Sequence, residues 1–153
     1  MKRFSIAVPL ALAVALFTLS ACGSDSTGPG TPEVDGTWTL SLSNMSGSGI
    51  SCSWSGMTAN LTQNGTAFSG SYSGGTYTCT GGGESISGNV GSGSIVNGSV
   101  NGNEVRFAID TPDMPMTGTI SGQSMSGTGT LRYDLGSPYG VITLSGSWGA
   151  ARK

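Results

Sequence analysis

The sequence predicts an all-β fold, an antiparallel up-and-down meander closed into a barrel of about 8–9 strands. Three observations carry this. Apolar residues alternate with polar ones in short runs: Trp38, Leu40 and Leu42; Met57, Ala59 and Leu61; Val105, Phe107 and Ile109; Ile142, Leu144 and Trp148. Turn residues separate these runs, and no helical period occurs after residue 21. Hairpins folded at the turn signals keep the apolar residues on one face, which a one-residue slip would turn to water. A long meander with one apolar face tends to close on itself, because closure removes its edges.

Taken in order, residues 1–21 read as an address. Met1-Lys2-Arg3 is basic, and the apolar run 6–17 that follows is shorter than the roughly 20 residues of a membrane-spanning helix. A charged start, a short apolar core and small residues after it describe a secretory signal peptide. Those small residues, Leu19-Ser20-Ala21-Cys22, resemble the lipobox of bacterial lipoproteins. The resemblance implies that Cys22 becomes the new N-terminus and carries a diacylglycerol on sulfur, with its amine acylated. A membrane is then the first expected partner. Gly23 in place of Asp implies sorting to the outer membrane of the cell envelope. Residues 22–33 hold no apolar side chain large enough to pack and read as a flexible linker.

The body is expected over 34–150, with strands at 34–43, 51–63, 66–80, 84–90, 93–101, 103–110, 115–121, 124–133 and 140–149. Asn64-Gly65 and Asn101-Gly102 are two-residue hairpin signals. The first would pair Leu61 with Phe68 and Met57 with Tyr72, and the second Val96 with Phe107. A turn at Gly122-Gln123 would pair Ile120 with Met125, and the loop 134–139 would pair Leu131 with Ile142. A motif of an apolar residue, Ser or Asn, then Gly recurs, as in Phe68-Ser69-Gly70 and Val96-Asn97-Gly98. It leaves a β-solenoid as an alternative, although a solenoid needs a fixed period and the spacing here is irregular.

Gly, Ser and Thr number 27, 25 and 17 of 153 residues, and charged residues are only 9%. Histidine is absent, which excludes Ser-His-Asp and Cys-His catalysis and removes the commonest metal ligand. Six basic residues against eight acidic ones give no footprint for nucleic acid. Asp110 and Asp113 are too few for a Ca²⁺ site, so no metal and no cofactor are expected. Cys52 and Cys79 remain as an even pair in an oxidising compartment and are expected to form a disulfide. Strict register places Cys52 opposite Tyr77; a bulge near Ser55-Gly56 or Gly74-Gly75 would slide Cys79 into place. Arg106 and Arg132 fall between inward residues and should point outward, Arg106 beside Glu104. The inner face then carries no charge.

Gly70, Gly98, Gly118, Gly127, Gly129 and Gly146 share the apolar phase. Either aromatic rings fill the space over them, or some space stays open for a ligand. The candidate ligand-binding residues are Trp38, Trp54, Met57, Tyr72, Phe107, Tyr133 and Trp148. Gly36-Thr37-Trp38, with Thr39 following, resembles the G-x-W start of lipocalins and the first strand of avidin-like barrels. The resemblance implies a barrel that binds small molecules inside, and an Arg after the last strand that covers the Trp, a part that falls to Arg152. The expected function is that of a lipid-anchored, non-enzymatic envelope protein binding a small apolar or neutral ligand inside the barrel. The alternative is a structural or interaction module with a packed barrel. An internal pocket of about 300 Å³ or more favours the first reading, solid packing the second.

Overall fold

A computed structural model describes residues 30–111, 113–134 and 140–153. The predicted signal peptide, Cys22 and most of the linker lie outside the described residues. Ten strands follow one another: β1 (Gly36–Gly47), β2 (Ile50–Asn64), β3 (Ala67–Ser73), β4 (Thr76–Gly81), β5 (Glu84–Asn89), β6 (Ser92–Asn101), β7 (Glu104–Ile109), β8 (Pro115–Ser121), β9 (Ser124–Asp134) and β10 (Val141–Arg152). Every pairing is antiparallel. The order β1-β10-β9-β8-β7-β6-β3-β2 closes through a β1–β2 ladder into an eight-stranded barrel, and β4 and β5 stand outside it. The described residues contain no helix.

Period-two burial produces this closure. The inward residues Trp38, Leu40, Met57, Leu61, Phe68, Val105, Phe107, Met116, Ile120, Met125, Leu131, Leu144 and Trp148 join one buried cluster. The alternate residues are mostly Ser and Thr and face water. No polar or charged residue is buried among the described residues. Arg106 and Glu104 form the expected exposed ion pair.

The registers need correction in three hairpins of four. Gln63 pairs with Phe68 and Leu61 with Gly70, two residues away from the predicted pairing. Val100 pairs with Val105, and Leu131 with Leu144 rather than Ile142. Only the Gly122-Gln123 hairpin pairs as predicted, Ile120 with Met125. In the first two hairpins the turn is centred on Gly65-Thr66 and Gly102-Asn103, with glycine at the first central position and positive φ (62° and 56°). That is the glycine placement of a type II′ turn, whereas Asn-Gly at the centre was expected. A two-residue slip preserves which face each side chain occupies, so the core is unchanged. One inward residue does differ. A bulge at Asn97 (φ 54°) turns Ile95 inward and leaves Val96 half-buried.

The predicted strand 66–80 is broken at Gly74-Gly75, both with positive φ. β2 therefore pairs with β3 over its second half and with β4 over its first. The break brings Cys79 directly opposite Cys52, with Cα atoms 4.0 Å apart, and the two form the expected disulfide.

Candidate functional site

The two ends of the barrel differ. At the closed end Trp38 is fully buried, and its indole N–H donates to the Val34 carbonyl at 2.9 Å. The Arg152 guanidinium lies over that ring, 4.7 Å from its centroid. Its Nη1 and Nη2 donate to the carbonyls of Asp35 and Glu33 at 2.7 and 2.6 Å. Arg152 thus covers Trp38 as the resemblance implied, from the last residue of β10 rather than after it. Gln63 completes this end: its Oε1 accepts from the Val34 N–H at 2.7 Å, and its own N–H donates to Asp35 Oδ1 at 3.0 Å. Sequence reading passed over Gln63. Its signal was a polar residue in phase with Met57, Ala59 and Leu61.

The middle of the barrel is full. The space among Trp38, Phe68, Phe107, Met125 and Trp148 amounts to about 10 Å³, barely one water. Side chains lie over four of the six in-phase glycines, Gly70, Gly98, Gly118 and Gly129, and neighbouring backbone closes on Gly127 and Gly146. A Cβ on Gly118 would meet the Trp148 ring at 2.8 Å, and one on Gly98 would meet the Phe68 ring at 2.5 Å. Phe107 bridges the rings, edge-on to Trp148 with centroids 4.9 Å apart and tilted against Phe68 at 6.1 Å. The Trp148 N–H reaches the carbonyls of Thr117 and Thr128 at 3.1 and 3.2 Å. Of the candidate residues, Trp38, Phe107 and Trp148 are therefore packing.

The other end is open because the wall has uneven height. β7 and β8 have 6 and 7 residues, while β1, β2, β9 and β10 have 11 to 15. The tall strands, extended by β4 and β5, continue past the barrel as a curved sheet. Trp54, Met57, Tyr72 and Tyr133 meet where the barrel stops, around a gap of only about 30 Å³. The Tyr72 hydroxyl donates to Asp110 Oδ2 at 2.6 Å, and burial followed by this bond raises its pKa. Burial, then the nearby Asp110 carboxylate, also raises that of Tyr133.

Beyond this plug, the concave face of the tall sheet forms a groove of about 480 Å³. Trp54, Tyr77 and Tyr133 supply rings, Ile50, Ile86 and Ile142 supply aliphatic edges, and the Cys52–Cys79 disulfide lies in the floor. None of its lining residues is charged. Ile86 is 61% exposed and Tyr133 38%, unusual for side chains of this size in a protein with so few apolar surface residues. Trp54 and Tyr133 are the two sequence candidates that reach this groove. Tyr77 and Ile86 were missed, since the face they share became visible only once the break at Gly74-Gly75 was placed. Among the described residues no cluster of Cys, Asp and Glu is suited to a metal.

Compared with protein-family models, curated proteins and solved structures, the chain matches none.

Proposed function

We propose that this protein is a lipid-anchored, non-enzymatic module of the bacterial cell envelope that takes an apolar or neutral ligand in the groove at the barrel mouth. The observation that carries the reading is the uncharged groove of about 480 Å³, set against a barrel interior with room for little more than a water. A volume of this order falls within the roughly 300–1,000 Å³ of small-molecule sites. A carboxylate or phosphate would find no cation among the lining residues, which argues for a neutral ligand. The anchor rests on the lipobox-like Leu19-Ser20-Ala21-Cys22. The chain enters the body at the Trp38 end, and the groove begins where Leu42 pairs with Trp54 and ends where Gly47 pairs with Ile50, about 13–30 Å further along β1 at roughly 3.3 Å per residue. The filled interior favours a second reading, a packed interaction module whose groove holds no small molecule.

Native mass spectrometry of the protein purified from its own envelope, looking for a co-purified neutral molecule, tests the first reading. A titration with a neutral fluorescent probe such as N-phenyl-1-naphthylamine locates the site. Trp54→Ala and Ile86→Ser should abolish its signal, while Arg106→Ala, on the outer wall, should not. No co-purified molecule together with no probe binding would leave the second reading.

A further inference from the structure

Strand β5 forms a sheet edge that nothing among the described residues covers. Closure pairs both sides of most strands. Four stretches at the open end escape it among the described residues: the short start of β10, where Val141 to Leu144 pair only with β9, and three others, of which two are guarded. The start of β6 is capped by Asp110, whose carboxylate accepts from the Ser94 N–H at 2.9 Å and whose own N–H donates to the Ser94 carbonyl at 2.9 Å. The end of β9 beyond Gly129 pairs only with β10, and it carries Arg132 and Asp134, charges of the kind that blunt edges. The third stretch is β5, which pairs only with β4. It reads Glu84-Ser85-Ile86-Ser87-Gly88-Asn89, with one charge, at its first residue, and no Pro, no Lys and no bulge over the rest.

The backbone direction of β5 follows from the disulfide pair. A Cα separation of 4.0 Å marks Cys52 and Cys79 as a non-hydrogen-bonded pair. The Cys79 N–H and C=O therefore point to β5, where they meet Ile86. By alternation, the N–H and C=O groups of Ser85, Ser87 and Asn89 point away from the sheet, and no partner for them occurs among the described residues.

We infer that β5 pairs antiparallel with β5 of a second copy of this chain, about a two-fold axis at Ser87. This register is the self-complementary one. Ser87 meets Ser87, Ser85 meets Asn89, and all the outward backbone groups are satisfied. Ile86 falls opposite Gly88, the one residue on that face without a side chain. The Tyr77 ring already covers Gly88: a Cβ there would meet its Cε1 at 2.9 Å. Ile86 of each copy would thus lie against Tyr77 of the other and lose its 61% exposure. The Glu84 carboxylates fall at opposite ends of the ladder, roughly 20 Å apart along it, too far to repel appreciably through salt. An axis perpendicular to the sheet puts both grooves on the same side, joined edge to edge. Each barrel lies toward the Asn89 end of its own β5, so the two barrels fall at opposite ends of the ladder. The contact uses Ile86 and Tyr77 at the β5 rim of the groove and needs no ligand to form.

Sedimentation velocity of the full chain in mild detergent should give twice the monomer mass, and Ser87→Pro should give the monomer. That proline removes only an outward N–H, so the barrel keeps its own bonds. Cysteine substitution in a Cys22→Ser chain fixes the register, because the new thiol is then the single unpaired one. Ser87→Cys should link into a dimer on a non-reducing gel, since paired Cα atoms about 5.5 Å apart fall within disulfide range. Ser85→Cys should not, because its two copies are offset by four residues, about 13 Å. A monomer at about 100 µM, a dimer that survives Ser87→Pro, or equal linking at both positions would each overturn the inference.

Discussion

If the barrel is solid because rings fill the volume over in-phase glycines, Gly118→Ala should be costly. Glycine to alanine at an unobstructed strand position is neutral or slightly stabilising, since it lowers the entropy of the unfolded chain by about 0.4–1 kcal/mol. At Gly118 the new methyl would sit 2.8 Å from Trp148 Cζ2, and it would press on the Ser126 carbonyl of β9. Backbone cannot rotate away as a flexible side chain can, so the cost belongs at the upper end of the overpacking range, about 2–3 kcal/mol. For a body of about 120 residues the unfolding entropy is roughly 0.25 kcal/mol/K, so Tm should fall by about 8–12 °C. Differential scanning calorimetry reads this directly. A double-mutant cycle with Trp148→Leu isolates the ring's share: the pair should cost less than the sum of the singles. An unchanged or raised Tm for Gly118→Ala would refute the reasoning, and so would strict additivity with Trp148→Leu.

Three further outcomes follow from the same structure. Arg152→Ala removes the cation from Trp38 and two charge-assisted bonds to Asp35 and Glu33, and should cost about 1–3 kcal/mol in urea unfolding; Arg152→Lys should recover only part of it, since an ammonium lacks the planar fork. Reducing the Cys52–Cys79 bridge, which spans 27 residues, should lower stability by about 3–4 kcal/mol on the chain-entropy model, and Cys79→Ser should match the reduced protein in the same urea titration. Tyr72 has its pKa raised in the fold, so the folded state retains a phenolic proton that the unfolded chain gives up above pH 10. Stability should therefore be flat up to that point and decline as pH rises beyond it, and Tyr72→Phe should lessen the slope of Tm against pH.

The sequence carried the face of nearly every strand, because period two needs only the identity of alternate residues. Register was less legible. Asn64-Gly65 and Asn101-Gly102 look like the centres of type I′ turns, yet glycine serves as the first central residue in both. Both turn types demand positive φ at glycine, so composition alone does not choose between them. The resulting slip of two residues left the core intact for the same reason that periodicity worked. Asn97 and Asn44 mark where alternation fails: each is a non-glycine residue with positive φ at a bulge that no alternation announces, one beside the inward Ile95 and the other beside the inward Met45. The disulfide was legible because the phase change between Trp54 and Met57 required a bulge, and the same breaks at Gly56 and Gly74-Gly75 free β4 from the barrel.

The candidate site was half legible, for a geometric reason. Alternation assigns a side chain to the inner face but gives no height along the axis. Trp38, Phe107, Trp148, Trp54 and Tyr133 were all assigned to the inner face and were indistinguishable on that ground. Height depends on register and on where each strand stops. β7 ends at Ile109 and β8 starts at Pro115, whereas β2 runs fifteen residues. The difference leaves Trp54 and Tyr133 above the low side of the wall and Phe107 and Trp148 below it. Lengthening β7 and β8 together by two residues each, with an added inward Val on both, should raise that side, seat side chains opposite Trp54 and reduce probe binding without lowering Tm. Probe binding unchanged by a taller wall would place the bound probe elsewhere on the molecule.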